Sequence, residues 1–185
     1  MVSPSRHIAE DIEKIILPQE TLQARIAELG AAISRDYMDK DPLLVGVLHG
    51  VIFFMADLLR HVTIPVTLDF MAISSYAANP ASGTVRITKD LDHAITGRHV
   101  IFVEDVIDTG LTLNYLLRTL RTRQPASLQV CVLFDRPYRR LIDIPLAYQG
   151  FVLPDAFVVG YGLDFADHYR NLPFVGLLKS HIHAS

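Results

Sequence analysis

The sequence contains no tryptophan and only one cysteine among its 185 residues. A single cysteine cannot form an intramolecular disulfide, which excludes the small disulfide-stabilised proteins and indicates a reducing compartment. Cys131 lies in the apolar run LQVCVLF, where a thiol is more often a buried strand residue than a reactive group. No apolar run is long enough to span a bilayer, and the first residues show no signal-peptide core. We therefore expect a soluble cytoplasmic protein without a membrane partner.

The charge balance excludes another group of functions. The formal net charge is −3 and the sequence pI is about 6.2, whereas non-specific binding to nucleic acids needs a broad basic surface. No nucleic-acid partner is expected, although a local basic patch stays open because several arginines cluster, at Arg121, Arg123, Arg136, Arg139 and Arg140. Half of the residues are hydrophobic, which suffices for the core of a single domain over residues 1–185.

Apolar segments of two kinds alternate along the chain. Near-continuous Val, Ile, Leu and Phe runs predict strands buried on both faces of a parallel sheet, in LLVGVLHG, IPVTLDFMAISSY, RHVIFVED, SLQVCVLFD and AFVVGYGLD. Segments between them have helical spacing, such as Leu22, Ile26, Leu29 and Ile33 after a capping Thr21. The alternation predicts an α/β fold with a central, mostly parallel sheet flanked by helices. Ligands bind such sheets at the carboxyl ends of the strands, which are polar here, at His49-Gly50, Glu104 to Thr112, Asp135-Arg136 and Tyr161 to Asp164.

The stretch VIFVEDVIDTGLTLNYLL, residues 100–117, combines three carboxylates with a helix start, although helix starts attract anions. It matches neither the P-loop nor the Rossmann glycine motif. The loop of Thr109, Gly110 and Thr112 could hold a phosphate monoester, or it could simply cap a helix. Glu104 and Asp105, when ionised, only accept hydrogen bonds. They would suit the two hydroxyls of a ribose, or they could be a solvated strand end; a ribose 5-phosphate would satisfy both halves.

The segment VIFVEDVIDTGLT resembles the phosphoribosyl-diphosphate (PRPP) signature of the type I phosphoribosyltransferases. LDFMAISSY, GTVRITKDLD and FVLPDAFVVGYGLDFADHYRNLPFVG are similar to the hypoxanthine-guanine phosphoribosyltransferases, bacterial forms especially, and the resemblance covers about residues 43–179. It implies the type I phosphoribosyltransferase fold, with a small hood formed by the N-terminal helix and the C-terminal segment and a flexible loop at about 74–86. It also implies a purine-salvage pentosyltransferase that uses Mg²⁺ to join PRPP to hypoxanthine or guanine. The products would be IMP or GMP and diphosphate, from a homodimer or homotetramer.

The resemblance also implies a role for each matching residue. Asp108 is the candidate general base, and Glu104 and Asp105 hold the ribose, directly or through Mg²⁺. The 5′-phosphate lies against Asp108, Thr109, Gly110, Leu111 and Thr112, and the diphosphate against His49, Gly50 and Arg170. The purine site comprises Val106, Arg136, Phe157, Val158 and Asp164, of which Asp164 is also a magnesium ligand on the diphosphate side. Ser75 and Tyr76 match the tip of a loop that closes over the site.

Two positions depart from the family pattern. His49 stands where the family has lysine or arginine, and a histidine is only partly charged near neutral pH. Arg136 stands where a lysine reads the purine 6-oxo group, and its planar fork is not a point charge. Xanthine is therefore an alternative base, and a PRPP-sensing regulator that binds nucleic acid is an alternative of another class. The C-terminal His181 and His183 are interpreted as incidental, because chain ends are usually frayed.

Overall fold

The computed structural model describes residues 7–75 and 85–183. Its main sheet has six strands in the order β4-β3-β2-β5-β6-β7, and all neighbours are parallel except β4, which pairs antiparallel with β3. The six strands are β2 (Leu43–Leu48), β3 (Thr67–Ser75), β4 (Val85–Lys89), β5 (His99–Ile107), β6 (Ser127–Asp135) and β7 (Tyr148–Val152). The α/β class and the mostly parallel central sheet are confirmed.

Helices cover both faces of this sheet. Helices α1 (Gln19–Asp36) and α2 (Val51–His61) pack on one face, and α3 (Leu111–Arg121) packs on the other. Two buried clusters result, which is why β2 and the first half of β5 are apolar without alternation. The main-chain carbonyl of His61 lies where a side chain at Gly30 would project, so glycine lets α1 and α2 approach closely.

The predicted apolar stripe of α1 is buried, but its predicted start is wrong. The helix begins at Gln19 with Pro18 as the N-cap residue, and Thr21 lies inside the first turn. Proline has no N–H to satisfy and its φ of −62° already suits the entry into a helix. The carbonyl of Pro18 accepts the N–H of Leu22 at 3.1 Å, and no side chain caps this helix.

A second sheet of three strands forms from the two ends of the chain. Strand β9 (Val175–Leu178) lies in the middle, antiparallel to both β1 (Ile12–Leu17) and β8 (Val158–Val159). The predicted strand AFVVGYGLD is shorter than expected and ends at Val159. Residues 160–162 follow with positive φ angles of 103°, 50° and 95°, which turn the chain back on itself.

The β3–β4 hairpin is anchored at its base by a buried carboxylate. Asp69 accepts hydrogen bonds from the main-chain N–H groups of Asp92 (2.8 Å) and His93 (2.9 Å), and Lys89 Nζ lies 3.6 Å away. The strands remain paired up to Ser75 and from Val85. Tyr76 and the loop tip that matches the family's closing loop lie outside the described residues. None of the helices within the described ranges is long and apolar enough to cross a membrane.

Candidate active site

The turn between β5 and α3 forms the predicted phosphate site. Gly110 is the N-cap residue of α3 with a φ of 79°, a conformation that glycine adopts without a steric penalty. The N-cap glycine has no side chain to cap this helix, and the N–H of Leu111 donates to Thr109 Oγ1 at 3.4 Å. The next N–H groups of the first turn remain available to an anion. The turn opens onto a cavity of about 230 Å³, lined by Glu104, Val106, Ile107, Asp108, Thr109, Gly110, Thr112 and Leu113. The side chain of Leu111 lines a different depression on α3, so only its main chain can serve this cavity.

A second cavity, of about 210 Å³, collects most of the other predicted residues. It is lined by Asp105, Val106, Asp108, Arg136, Leu153, Phe157, Val158, Gly162, Leu163, Asp164 and Arg170. Val106 and Asp108 line both cavities. A ligand that fills the two would therefore pass Asp108 at their boundary.

The neighbouring acids serve different cavities, because consecutive residues of a strand point to opposite faces. Glu104 lines the phosphate cavity and Asp105 lines the second one. Burial raises the pKa of Glu104 well above its usual value, and the charge of Asp105 raises it further. Burial also raises the pKa of Asp105 to about 6, although the Val106 N–H donates to its Oδ1 at 2.8 Å and Arg170 opposes the shift.

The predicted diphosphate residues converge on Asp105. A non-proline cis peptide bond joins Leu48 to His49, and a Cβ at Gly50 would collide with Oδ2 of Asp105. The same Cβ would lie 3.2 Å from the carbonyl oxygen of Gly162. The main chain at Gly50 thus lies directly against Asp105. The side chain of His49 is exposed.

Arg170 links this loop to the remaining acid. Its Nη1 donates to the carbonyl of Gly162 at 2.7 Å, and its Nη2 lies 2.8 Å from Oδ1 of Asp164. The other oxygen of Asp164 accepts the main-chain N–H of Asp167 at 3.0 Å. Asp164 is therefore held in place by two donors at the edge of the second cavity.

Asp108 lies between two guanidinium groups. Its Oδ2 is 3.9 Å from Nη1 of Arg136 and 3.8 Å from Nη1 of Arg139. Arg136 also donates through Nη2 to the carbonyl of Ala156 at 2.6 Å, and Arg139 donates through Nε to Asp155 at 2.9 Å. The sequence interpretation missed Arg139, since its pattern signals only a cluster of basic residues.

Phe157, at the predicted purine position, contacts two other aromatic rings. Phe157 lines the second cavity and is 40% exposed. Its ring meets Phe165 edge to face at 5.5 Å, and the imidazole of His183 is stacked on it at 4.7 Å with an interplanar angle of 13°. Val158, the next residue, is buried in the small sheet. His183 therefore has a defined contact in the structure, and its interpretation as an incidental terminal residue stays a prediction.

The carboxylates fit a magnesium ion that shares its ligands with a substrate. Oε2 of Glu104 is buried without a hydrogen-bond partner, and Asp105 is close enough to Asp164 for their charges to interact. No group of three or more metal-ligating side chains occurs in residues 7–75 and 85–183. Mg²⁺ commonly uses one or two protein carboxylates together with phosphate oxygens and water, which this arrangement allows.

The basic cluster seen in the sequence is largely neutralised by carboxylates. Arg123 forms two hydrogen bonds with Asp90, at 2.9 and 2.8 Å, and Arg140 binds the buried Asp135 at 2.7 Å. The Arg140 pair borders a larger, open depression of about 550 Å³ beside the loop between β6 and β7. Glu104, Asp105, Asp108 and the turn at Gly110 line the two smaller cavities and do not line this depression.

Comparison with known proteins agrees with this geometry. The family model for the phosphoribosyl transferase domain matches residues 14–166, and the chain belongs to this family. Within it, the chain is 47% identical to the hypoxanthine-guanine phosphoribosyltransferase of Bacillus subtilis, covering 95% of this chain and 98% of that protein. It is 48% identical to the enzyme of the same name from Streptococcus agalactiae, with 96% and 99% covered.

A solved structure shows the same fold. The crystal structure of a hypoxanthine phosphoribosyltransferase from Staphylococcus aureus superimposes with a TM-score of 0.93 at 38% identity, covering 99% of this chain and all of that one. The resemblance drawn from the sequence is therefore confirmed, both for the phosphoribosyltransferase class and for its hypoxanthine-guanine branch.

Proposed function

We propose that this enzyme transfers the 5-phosphoribosyl group from PRPP to hypoxanthine or guanine, and releases diphosphate. One observation carries the proposal: two adjoining cavities share Val106 and Asp108, one built on a phosphate-type turn and the other on Phe157 and Val158. A nucleoside monophosphate has this order of parts, with a phosphate at one end and a flat base at the other. The acids of residues 104–105 then face the ribose between them.

The reaction needs positioned groups more than a strong nucleophile. The bond between C1′ and the diphosphate oxygen breaks while a purine nitrogen bonds to C1′, and the purine loses a proton. Asp108 lies at the boundary of the cavities, where its carboxylate can accept that proton or hold the N–H that supplies it. Nη1 of Arg136 and Nη1 of Arg139 both lie within 4 Å of its Oδ2, so this carboxylate faces two cationic groups.

Diphosphate departure requires stabilisation of developing negative charge. Arg170 is the candidate cation, because it lies on the second cavity and is oriented by Gly162 and Asp164. The main-chain groups around Gly50 are the candidate donors at the other side. Mg²⁺ held by Asp105 and Asp164, with Glu104 nearby, would neutralise phosphate charge when bound. Closure of a loop that includes Ser75 and Tyr76 would exclude water from PRPP.

The two departures from the family pattern bear on specificity and affinity. Arg136 can still donate to a 6-oxo group, because only Nη2 is committed to the Ala156 carbonyl. The hydrogen bond to Ala156 fixes the orientation of the Arg136 guanidinium group, so we expect the enzyme to prefer 6-oxopurines. The exposed His49 gives the diphosphate less positive charge than lysine would, so we expect weaker PRPP binding than a lysine variant would show.

A panel assay tests the proposal. The purified protein is incubated with PRPP, Mg²⁺ and each of hypoxanthine, guanine, xanthine, adenine, uracil and orotate, and nucleotide formation is followed by chromatography. Nucleotide from hypoxanthine or guanine, abolished by removing Mg²⁺ with a chelator, is the expected result. Turnover with xanthine alone would show that xanthine is the substrate base. No turnover with any base would refute the proposal.

Two further parts of the proposal concern the protein as a whole. The resemblance supports a homodimer or homotetramer, which light scattering after gel filtration would measure. The lone cysteine, Cys131, is fully buried and cannot pair within the chain, which supports a reducing, cytoplasmic location. Localisation of a tagged copy by microscopy would test this.

A further inference from the structure

The C-terminal turn returns to the purine site through a chain of main-chain contacts. The N–H of Leu178, the last residue of β9, donates to the carbonyl of Phe157 at 3.2 Å, and the N–H of Lys179 donates to the carbonyl of Asp11 at 3.0 Å. Helix α4 (Ser180–His183) then makes one turn, closed by the Ile182 N–H donating to Lys179 at 3.0 Å.

Ile182 fixes the rotation of this turn. Its side chain packs against the cluster of Val159, Tyr169, Leu172 and Leu178 beneath the small sheet. The neighbouring His183 is thereby turned onto the Phe157 ring, nearly parallel to it at 4.7 Å. His181, on the same turn, is exposed.

Phe157 has two kinds of neighbour, the cavity and the ring of His183. Phe157 lines the second cavity together with Val106, whereas His183 is not among the described residues that line it. From this difference we propose that His183 is a positioning residue of the purine site. It holds the Phe157 ring from the side away from the cavity, so that His183, Phe157 and the base form one continuous stack. This inference rests on the proposed function, because it takes Phe157 as the ring on which the base stacks.

The physical effect is a reduction in the freedom of Phe157. A side chain that is 40% exposed has few contacts to hold one rotamer, and ordering it on binding would weaken affinity for the base. The imidazole and the Phe165 edge fix the ring before the base arrives. The contribution of His183 should therefore appear in the affinity for the base. Binding at the phosphate turn, at the other end of the ligand, should be unaffected.

The experiment compares three variants of the full chain. His183→Ala should raise the KM for hypoxanthine by about threefold to tenfold, or ~0.6–1.4 kcal/mol at 1.4 kcal/mol per tenfold. The KM for PRPP and kcat should change by less than about twofold. His183→Phe restores a flat ring and should return the KM for hypoxanthine to within about twofold of the original. His181→Ala, the matched control on the same turn, should change none of these values.

The alternative outcomes are distinct. An unchanged KM for hypoxanthine in His183→Ala would overturn the inference, as would an equal loss in His183→Phe. Equal losses for hypoxanthine and PRPP, together with a lower melting temperature, would show a merely structural role and also overturn it. If the original chain forms nucleotide from no base at all, the proposed function fails first, and this inference fails with it.

Discussion

Replacing Asp105 by asparagine should stabilise the protein at neutral pH while it abolishes turnover. The carboxylate is buried beside Glu104, and its pKa is about 6 instead of the usual 3.8. A shift of about two pKa units corresponds to ~3 kcal/mol of disfavoured ionisation. This is the upper limit of what Asp105→Asn can recover, since the amide keeps the shape and can still accept the Val106 N–H.

The sign of the pH dependence follows from proton binding. Between pH ~4 and pH ~6, the folded chain holds a proton on Asp105 that the unfolded chain releases, so the free energy of unfolding falls as the pH rises through this window. Asparagine has no proton to lose. The stability gain of Asp105→Asn should therefore be absent below pH ~4 and complete above pH ~6.

Urea denaturation at pH 4 and pH 7.5 measures this difference. At pH 7.5 the variant should gain up to ~3 kcal/mol, on the order of 6–12 °C in melting temperature for a chain of this size. The matched control is Asp143→Asn, because Asp143 is exposed; it should change stability by less than ~0.5 kcal/mol at either pH. An Asp105→Asn variant that is no more stable at pH 7.5, or equally stabilised at pH 4, would refute the reasoning.

We expect that the Asp105 carboxylate lowers the stability of the protein but is needed for ligand binding. If Asp105 binds Mg²⁺ and ribose, then Mg²⁺ with PRPP should raise the melting temperature of the original chain more than that of Asp105→Asn. Equal shifts in the two proteins would remove Asp105 from ligand binding, even if its effect on stability is as described.

Three other predictions follow from the same geometry. Asp108→Asn cannot accept a proton, so kcat in the hypoxanthine assay should fall about 10²- to 10⁴-fold, while the Kd for IMP by calorimetry stays within about threefold; an unchanged kcat would exclude Asp108 as the base. Gly50→Ala would drive a Cβ into Oδ2 of Asp105, so the Kd for Mg²⁺-diphosphate should rise at least tenfold, and an unaltered Kd would show that this loop does not bind it. His49→Lys places a full charge at the diphosphate loop and should lower the KM for PRPP about threefold to tenfold at 50 mM salt, with a smaller gain at 500 mM because of screening; no gain at low salt would mean that the side chain at 49 does not face diphosphate.

Local sequence patterns were enough to predict the central sheet and the part of the candidate site between β5 and α3. The run Val100 to Val103 is apolar without alternation because both sheet faces are covered, and that pattern is readable without any partner segment. The acids and the turn at Gly110 follow directly in the chain, so their proximity to one another is a property of a short segment. These features made the family resemblance specific.

The pairing of distant segments could not be predicted from the sequence. Strands β1 and β9 are about 160 residues apart, and in the small sheet β1 pairs with β9, which also pairs with β8. The predicted long strand after residue 155 ended early because three consecutive residues adopt positive φ, one of them the non-glycine Tyr161. Tyr161 is held there by its hydroxyl, which donates to Asp57 of α2 at 2.6 Å.

The sequence alone determined which short segments contain the paired acids, the glycine turn and Phe157, because periodicity and turn residues act over a few positions. Only the tertiary structure decided that Arg139 faces Asp108 and that His183 lies on Phe157. Those contacts depend on how the β6–β7 loop and the C-terminal turn are seated by residues far away in the chain. A single-letter pattern contains no information about such distances. Arg139 was therefore interpreted only as part of a basic cluster, and His183 only as an incidental terminal residue.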